Sequence, residues 1–489
     1  MTQLLKFKKL ISLVLALAMI FCFAAGCGEE EEIYSYYDII EEDDDNSVDD
    51  AGDTDTQSGD GTTDNKTDNK TDNKTDDKTD NKTDDKKDDN QSVTTNVPSN
   101  LKGTTVKVLW WQPLMDSEKK VIKSFEEKTG MKVQVKNTTN AGTYGEFISA
   151  SLAAKEGYDI AMFNNIDFPG RPTNYFQPLN NIKGFDIKDT AWDKAVMDTQ
   201  KIKGNYYGVN INGSNHTEYI CMFFNESMFK KRGVKTPRQY WEEGNWNWDT
   251  FLECAKAMTF KENGVQVYGY VNRGAGYITY WTQAAGTDFI KYDGSKFTSN
   301  LSDAKLLETI KYYNEFGSKL KVMDSNTTWG IPSFRQGEAA MHSVISYAMR
   351  KDSSTKFNQM TDTIDAVPFP MPKGSKQVAI VDSTLFGVLK GAKNAEGAIQ
   401  FLRYFLDPKN YDMSSNFINK NLEKTFNELA KMDKRVSISS GVVSYAALVD
   451  FDNVCHNIAL TSADQVTAKV KSYASNFDIA VNKANKAIK

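Results

Sequence analysis

The sequence is poor in the residues on which most catalytic chemistry depends. Its 489 residues include only three histidines and five cysteines. His216, His342 and His456 stand in no HExxH motif and no nucleophile–base arrangement, which speaks against a zinc hydrolase or a histidine triad. Cys22 and Cys27 lie close to the N-terminus. Cys221, Cys254 and Cys455 are odd in number and lack metal-ligand spacing, so they read as small buried hydrophobes, with a Cys221–Cys254 disulfide left open. The body has no GxGxxG and no Walker loop, so an ATPase would have to be a separate chain. Carboxylates are plentiful, but Glu126–Glu127 and Glu242–Glu243 are helix neighbours that point apart, not pairs facing across a sugar bond. Beyond the N-terminal segment, no stretch is long and apolar enough to span a membrane. No enzyme, cofactor or metal is expected.

What is present is unevenly distributed. The net charge of −6 hides a segment, 28–100, with 25 acidic residues against 7 lysines, which leaves the body from 101 to 489 at +9. That excess is mild for so large a body and implies no nucleic-acid partner. The chain starts with Lys6, Lys8 and Lys9, followed by an apolar run from Leu10 to Ala25, the layout of an export signal over 1–26. Ala24-Ala25-Gly26-Cys27 resembles a bacterial lipobox, which implies cleavage before Cys27 and acylation of its thiol and new amino terminus, palmitate being one such chain. Two or more chains anchor stably where one does not. The alternative is an ordinary secretory signal with an incidental cysteine. Over 64–87 the chain repeats TDNK-like units with almost nothing apolar to bury, so 27–100 is expected to be a disordered acidic linker. A coil of this length spans about 50 Å, enough to lift the body off a membrane. The NKT matches to a glycosylation acceptor read as a by-product of the repeat, and the apolar island IYSYYDII at 33–40 has no assigned role.

From 101 the pattern alternates. TTVKVLWW (104–111) reads as a strand, and DSEKKVIKSFEEKTG (116–130) as a helix with Val121, Ile122 and Phe125 inward, Asp116 as cap and Gly130 as stop. MKVQVK (131–136), TYGEFISASLAAKEG (143–157) and YDIAMF (158–163) continue as strand, helix and strand. This predicts a parallel sheet covered by helices, with a ligand past the carboxyl ends of its strands. Further helices are predicted at 225–233, 245–259 and 394–406, and from TWGIPSFRQGEAAM on into HSVISYAM.

These segments resemble, in order, the family 1 extracellular solute-binding proteins of ABC importers, the maltose-binding-protein-like group. KVLWW with FEEKTGMKVQV is similar to the first β-α-β. EGYDIAMFNN is similar to the strand entering the site, and YYGVNINGSNHTEYICMFFNESMF…WNWDTF to the Y-G-V-P…Y-N…T-W block. FRQGEAAM, VPFPMPKGS and AKNAEGAIQFLRYFL follow in their places. The resemblance implies an α/β two-lobe periplasmic-binding-protein-like fold of type II, with the ligand cleft between lobes. One lobe would hold about 101–212 and 378–415, and the other about 213–377 plus part of 416–489. It further implies a monomer that captures a sugar or oligosaccharide, delivers it to ABC permease subunits and stays lipid-anchored on the extracellular face of a Gram-positive-type membrane. Asn210 stands where the family often has Pro, Ile345-Ser346-Tyr347 where a Gly-x-Trp is common, and Asp382-Ser383 where Gly-Gly is common.

A sugar offers an apolar ring face and a fringe of hydroxyls, so its site needs flat aromatics beside amides and carboxylates. The candidates are Trp110, Trp111, Asn164, Asn165 and Asp167 on one rim and Trp281, Trp329 and Tyr347 on the other. Asn212 and Asp382 would lie at the crossings, and Cys27 would carry the lipid. Each has a plainer reading as core, turn or strand end: alternation along a strand puts one of Trp110 and Trp111 inward. A secreted carbohydrate-active enzyme and a cell-surface carbohydrate-binding protein are the competing functions.

Overall fold

Thr105–Trp110 form β1, as β-branched and aromatic residues favour a pleated surface. In the computed structural model the described residues are 97–489, without 139–142, 275–276, 325–328, 383 and 413. The signal segment, Cys27 and the acidic linker up to residue 96 lie outside them. After β1 comes α1 (Asp116–Thr129), which buries Val121 and Phe125 and ends at Gly130, held at φ 72°. The helix cap is Met115 and not the expected Asp116, because Glu118 reaches back to accept the Met115 amide at 2.8 Å. Next come β2 (Lys132–Asn137), α2 (Tyr144–Ala153) and β3 (Ile160–Asn164). Both β2 and β3 run parallel to β1, so the predicted β-α-β-α-β unit is present.

The chain then crosses into a second sheet. Its central strand, β4 (Glu218–Asn225), is buried at every position after Glu218. α3 (Trp248–Ala257) turns Phe251, Cys254 and Ala255 inward. β5 (Val271–Asn272), α4 (Thr279–Ala285) and α5 (Ala304–Ser318) follow, then β6 (Met341–Ile345), β7 (Ile364–Pro368) and β8 (Ala379–Asp382). The stretch from His342 was expected to be helical. It is a strand because β4 pairs along its length on one side and β5 on the other, burying all five residues of β6. A run apolar on every side carries no period that separates helix from strand.

β8 pairs with β4 in this second sheet, and the return to the first sheet comes with β9 (Thr384–Val388), antiparallel to β3 from Thr384↔Asn164 to Val388↔Ile160. The crossing therefore falls between Asp382 and Thr384, later than the expected 378. α6 (Ala395–Phe405) covers the first sheet. After a third crossing, α7 (Lys420–Ala430) lies against β7 and β10 (Lys434–Val436) pairs with β8. The sheet orders are β9-β3-β1-β2 and β10-β8-β4-β6-β5, with β7 also on β4. Asn210 stitches two crossings together: its side-chain amide donates to Thr217 Oγ1 at 3.0 Å and to the Thr384 carbonyl at 2.9 Å, bonds a proline could not supply.

The C-terminal helices α8 (Ser439–Ser444), α9 (Phe451–Ala459), α10 (Val466–Ser472) and α11 (Ala474–Ala487) serve both lobes. α9 and α10 pack on α5, while α8 lies on the turn Asn165–Asp167. A Cβ at Gly441 would stand 2.3 Å from the Phe168 carbonyl, so only glycine permits this approach. Cys221, Cys254 and Cys455 are buried and free, and the Cys221–Cys254 pairing left open above does not form.

Candidate functional site

The candidate site lies where the N-terminal end of β4 meets the C-terminal ends of β5, β6 and β8, beside the β8–β9 crossing that sets Thr384 against Asn164 at the end of β3. Glu218 and Asp382 are register partners of the antiparallel β4–β8 ladder, so their side chains project from one face. Glu218 accepts Ser346 Oγ at 2.8 Å and Arg350 Nη2 at 3.1 Å. Burial raises its carboxyl above the usual range, with Arg350 opposing. Asp382 is pushed up to about 6, chiefly by desolvation; Arg273 opposes the shift, while Glu218 and Asp452 reinforce it.

Arg273 follows β5 and is itself buried. Its guanidinium lies 5.3 Å from the Trp329 ring centre and 5.0 Å from that of Tyr277, distances for cation–π attraction. Asp452, at the start of α9, is solvent-exposed, yet desolvation raises it to about 6. Tyr347 is half-buried beside Arg350, 5.6 Å from ring centre to guanidinium, and its hydroxyl donates to the Asp352 carbonyl at 3.3 Å. Trp329, Tyr347 and Asp382, named from the sequence, thus sit on one lobe with Glu218, Arg273 and Asp452, which sequence reading missed. The missed residues did leave signals: a charge entering a buried strand in HTEYI, and an arginine closing one in YVNRG.

Elsewhere the structure corrects the expected rim. Trp110 is 2 % exposed; Phe386 stacks on it at 5.6 Å, and Phe405 and His216 meet it edge-on, so no ring face is left for a sugar. Trp281 is fully buried among Phe251, Phe316 and Phe369, with its Nε1 donating to Tyr270 Oη at 3.2 Å. Three polar candidates are engaged inside the protein. Asn165 is buried and donates to the Ser437 carbonyl at 2.8 Å. Asp167 accepts the Asn164 amide at 2.8 Å and pairs with Arg171 at 2.9 Å. Asn212 is exposed and accepts Lys434 Nζ at 3.0 Å. Asn164, half-buried, accepts Thr384 Oγ1 at 2.8 Å, and Trp111, which follows β1, is half-buried.

Two α/β lobes joined by three crossings, with aromatic and charged side chains at their junction, form the frame of a binding protein. A model of the bacterial extracellular solute-binding proteins matches residues 120–419, which include Glu218, Arg273, Trp329, Tyr347 and Asp382. The chain belongs to that family. Among curated proteins, a binding protein of Brucella abortus (strain 2308) and one of Brucella suis biovar 1 (strain 1330) are each 24 % identical to this solute-binding protein over 294 residues, 56 % of it. The chain spans 63 % of the length of each. Among solved structures, the solute-binding protein from Staphylococcus aureus in complex with maltose superposes with a TM-score of 0.58 at 13 % identity, covering 76 % of this chain and 96 % of that one. The GacH receptor of Streptomyces glaucescens, solved unliganded and with acarbose, gives 0.56 at 14 %, covering 77 % and 99 %. A solute-binding protein of Thermotoga lettingae bound with α-D-tagatose gives 0.53 at 18 %, covering 79 % and 100 %. These likenesses establish the two-lobe fold expected from the sequence.

Proposed function

We propose that this solute-binding protein is the extracellular receptor of an ABC importer, that it captures a sugar or oligosaccharide by cleft closure, and that it hands the sugar to permease subunits. The observation that carries this reading is one lobe's grouping of Trp329 and Tyr347 with Glu218, Arg273 and Asp382: flat rings beside paired carboxylates and a guanidinium suit a ring of hydroxyls. Structural neighbours solved with maltose, acarbose and tagatose support the same class. Trp111, Asn164 and the exposed Ile166 would touch the guest from the opposite lobe on closure. Cys27 would hold the lipid, and the acidic segment would serve as tether, with the protein acting as a monomer.

The test is calorimetric titration of the full chain with maltose, maltotriose and tagatose, run beside a reducing-end assay. Binding without release of reducing ends is the expected result. The facing carboxylates Glu218 and Asp382 favour one other reading, a hydrolase, which release of reducing ends would establish. Absence of binding to every saccharide tried removes the substrate class. Labelling with palmitate in a bacterial host, lost in Cys27→Ser, tests the anchor.

A further inference from the structure

A second group of polar side chains adjoins this site through Arg350, which donates to Glu218 at 3.1 Å. Glu118, in the first turn of α1, is 1 % exposed, although glutamates are rarely so buried without a cation in direct contact. Its one close bond is that to the Met115 amide. The groups around it come from the other lobe and the third crossing: Arg350 and Asp352 from the segment after β6, and Tyr411 from the crossing. Lys119 stands beside it on its own helix.

Arg350 is 4 % exposed and already donates to the Asn215 carbonyl at 2.6 Å and to Glu218. The junction is short of partners. Trp110 Nε1, Asn215 Oδ1, His216 Nε2 and Arg350 Nε are buried and unpaired among the described residues, while Tyr411 Oη meets the Asn215 side chain. Beside them runs a crevice of about 720 Å³, lined by Met115, Asp116 and Lys120 on one side and Asp352, Tyr411 and Asn416 on the other. Parting the lobes along this crevice would carry Arg350 and Asp352 away and admit water to Glu118.

We infer that Glu118 is a proton-linked contact between the lobes: closure buries its carboxyl in protonated form, and opening hydrates it and releases the proton. The proton goes to or comes from solvent, so no other reactant is needed. Burial pushes Glu118 up to about 7 in this arrangement, with Arg350 and Asp352 of the other lobe nearby; Asp352 adds to the shift, while the Met115 amide, Arg350 and Lys119 oppose it. His216 is driven down to about 3 by burial and Arg350, so it is neutral in this arrangement. A closed-state value above the open-state one favours closure at low pH. That contribution is complete below the ordinary glutamate range and lost as pH rises through about 7. The inference rests on the reading of this protein as a receptor that opens and closes.

The test uses unliganded full chain with Cys22→Ser and Cys27→Ser, spin-labelled at Lys123→Cys on one lobe and Lys373→Cys on the other; both lysines are exposed. Between about pH 8 and about pH 5.5 the closed population should rise by the order of ten-fold, whereas Glu118→Gln, a mimic of the protonated acid, should stay closed at both. An interlobe distance unmoved by pH, or a Glu118→Gln profile that follows the wild type, overturns the inference. If Glu118→Gln fails to fold, infrared spectra of wild type labelled with ¹³C-glutamate provide the reading. A protonated carboxyl band fading in step with the distance change supports the inference, and its absence overturns it. A lobe distance that answers to saccharide but not to pH leaves the receptor reading standing. One that answers to pH alone does the reverse.

Discussion

The two rims of the cleft were read from the sequence by the same rule, an aromatic or amide at a strand end, and they met different fates. On the first lobe, Trp110 went into the core, Asn165 to Ser437 and Asp167 to Arg171. On the second, Trp329, Tyr347 and Asp382 stayed at the junction, joined by Glu218 and Arg273. A side chain faces a ligand only if no nearer partner takes it. The first lobe's turn Asn165–Asp167 has such a partner, because α8 folds down onto it from the C-terminal segment.

The comparison can be broken most sharply at the two buried tryptophans. Trp281→Ala and Trp110→Ala should each cost about 3–5 kcal/mol in urea unfolding, as removal of a large core ring does. If either variant keeps full stability and loses only saccharide affinity, the assignment to the core is wrong. Trp329→Ala should do the opposite, weakening saccharide binding by about 1–3 kcal/mol with little change in Tm; equal loss in both measurements would make Trp329 structural. Asp382 sharpens the picture through pH. Its folded value, about 6, is above the ordinary aspartate range, so its contribution to stability is complete below that range and disappears as pH rises through about 6. Asp382→Asn should therefore gain on the order of 1 kcal/mol over wild type at neutral pH after allowance for solvent screening, and nothing in acid. A pH-independent difference would mean the carboxyl is not desolvated. The smallest effect is expected at Asn212→Ala, which removes one exposed bond to Lys434 and should shift both stability and binding by less than about 0.5 kcal/mol.

Local pattern reading went furthest where chemistry is local. The first β-α-β-α-β unit, the Gly130 stop, the inward face of α3 and the helix near 394–406 follow from period and capping alone. It failed at β6, where burial on all sides erased the period, and at the boundary near 378, since the sheet that β8 joins depends on pairing with β4. The site was legible only in part. Glu218 and Arg273 lie 55 positions apart and approach Asp382 only through the strand order β8-β4-β6-β5.

By itself, the sequence determined the segregation of a charged tail from a folding body, the alternation of strand and helix, and the family, because each depends on residue type and short spacing. Only the tertiary structure decided which tryptophans face solvent, which carboxylates meet a guanidinium, and that Glu118 is buried. Those outcomes are competitions for partners distant in sequence, and no local period records who wins them.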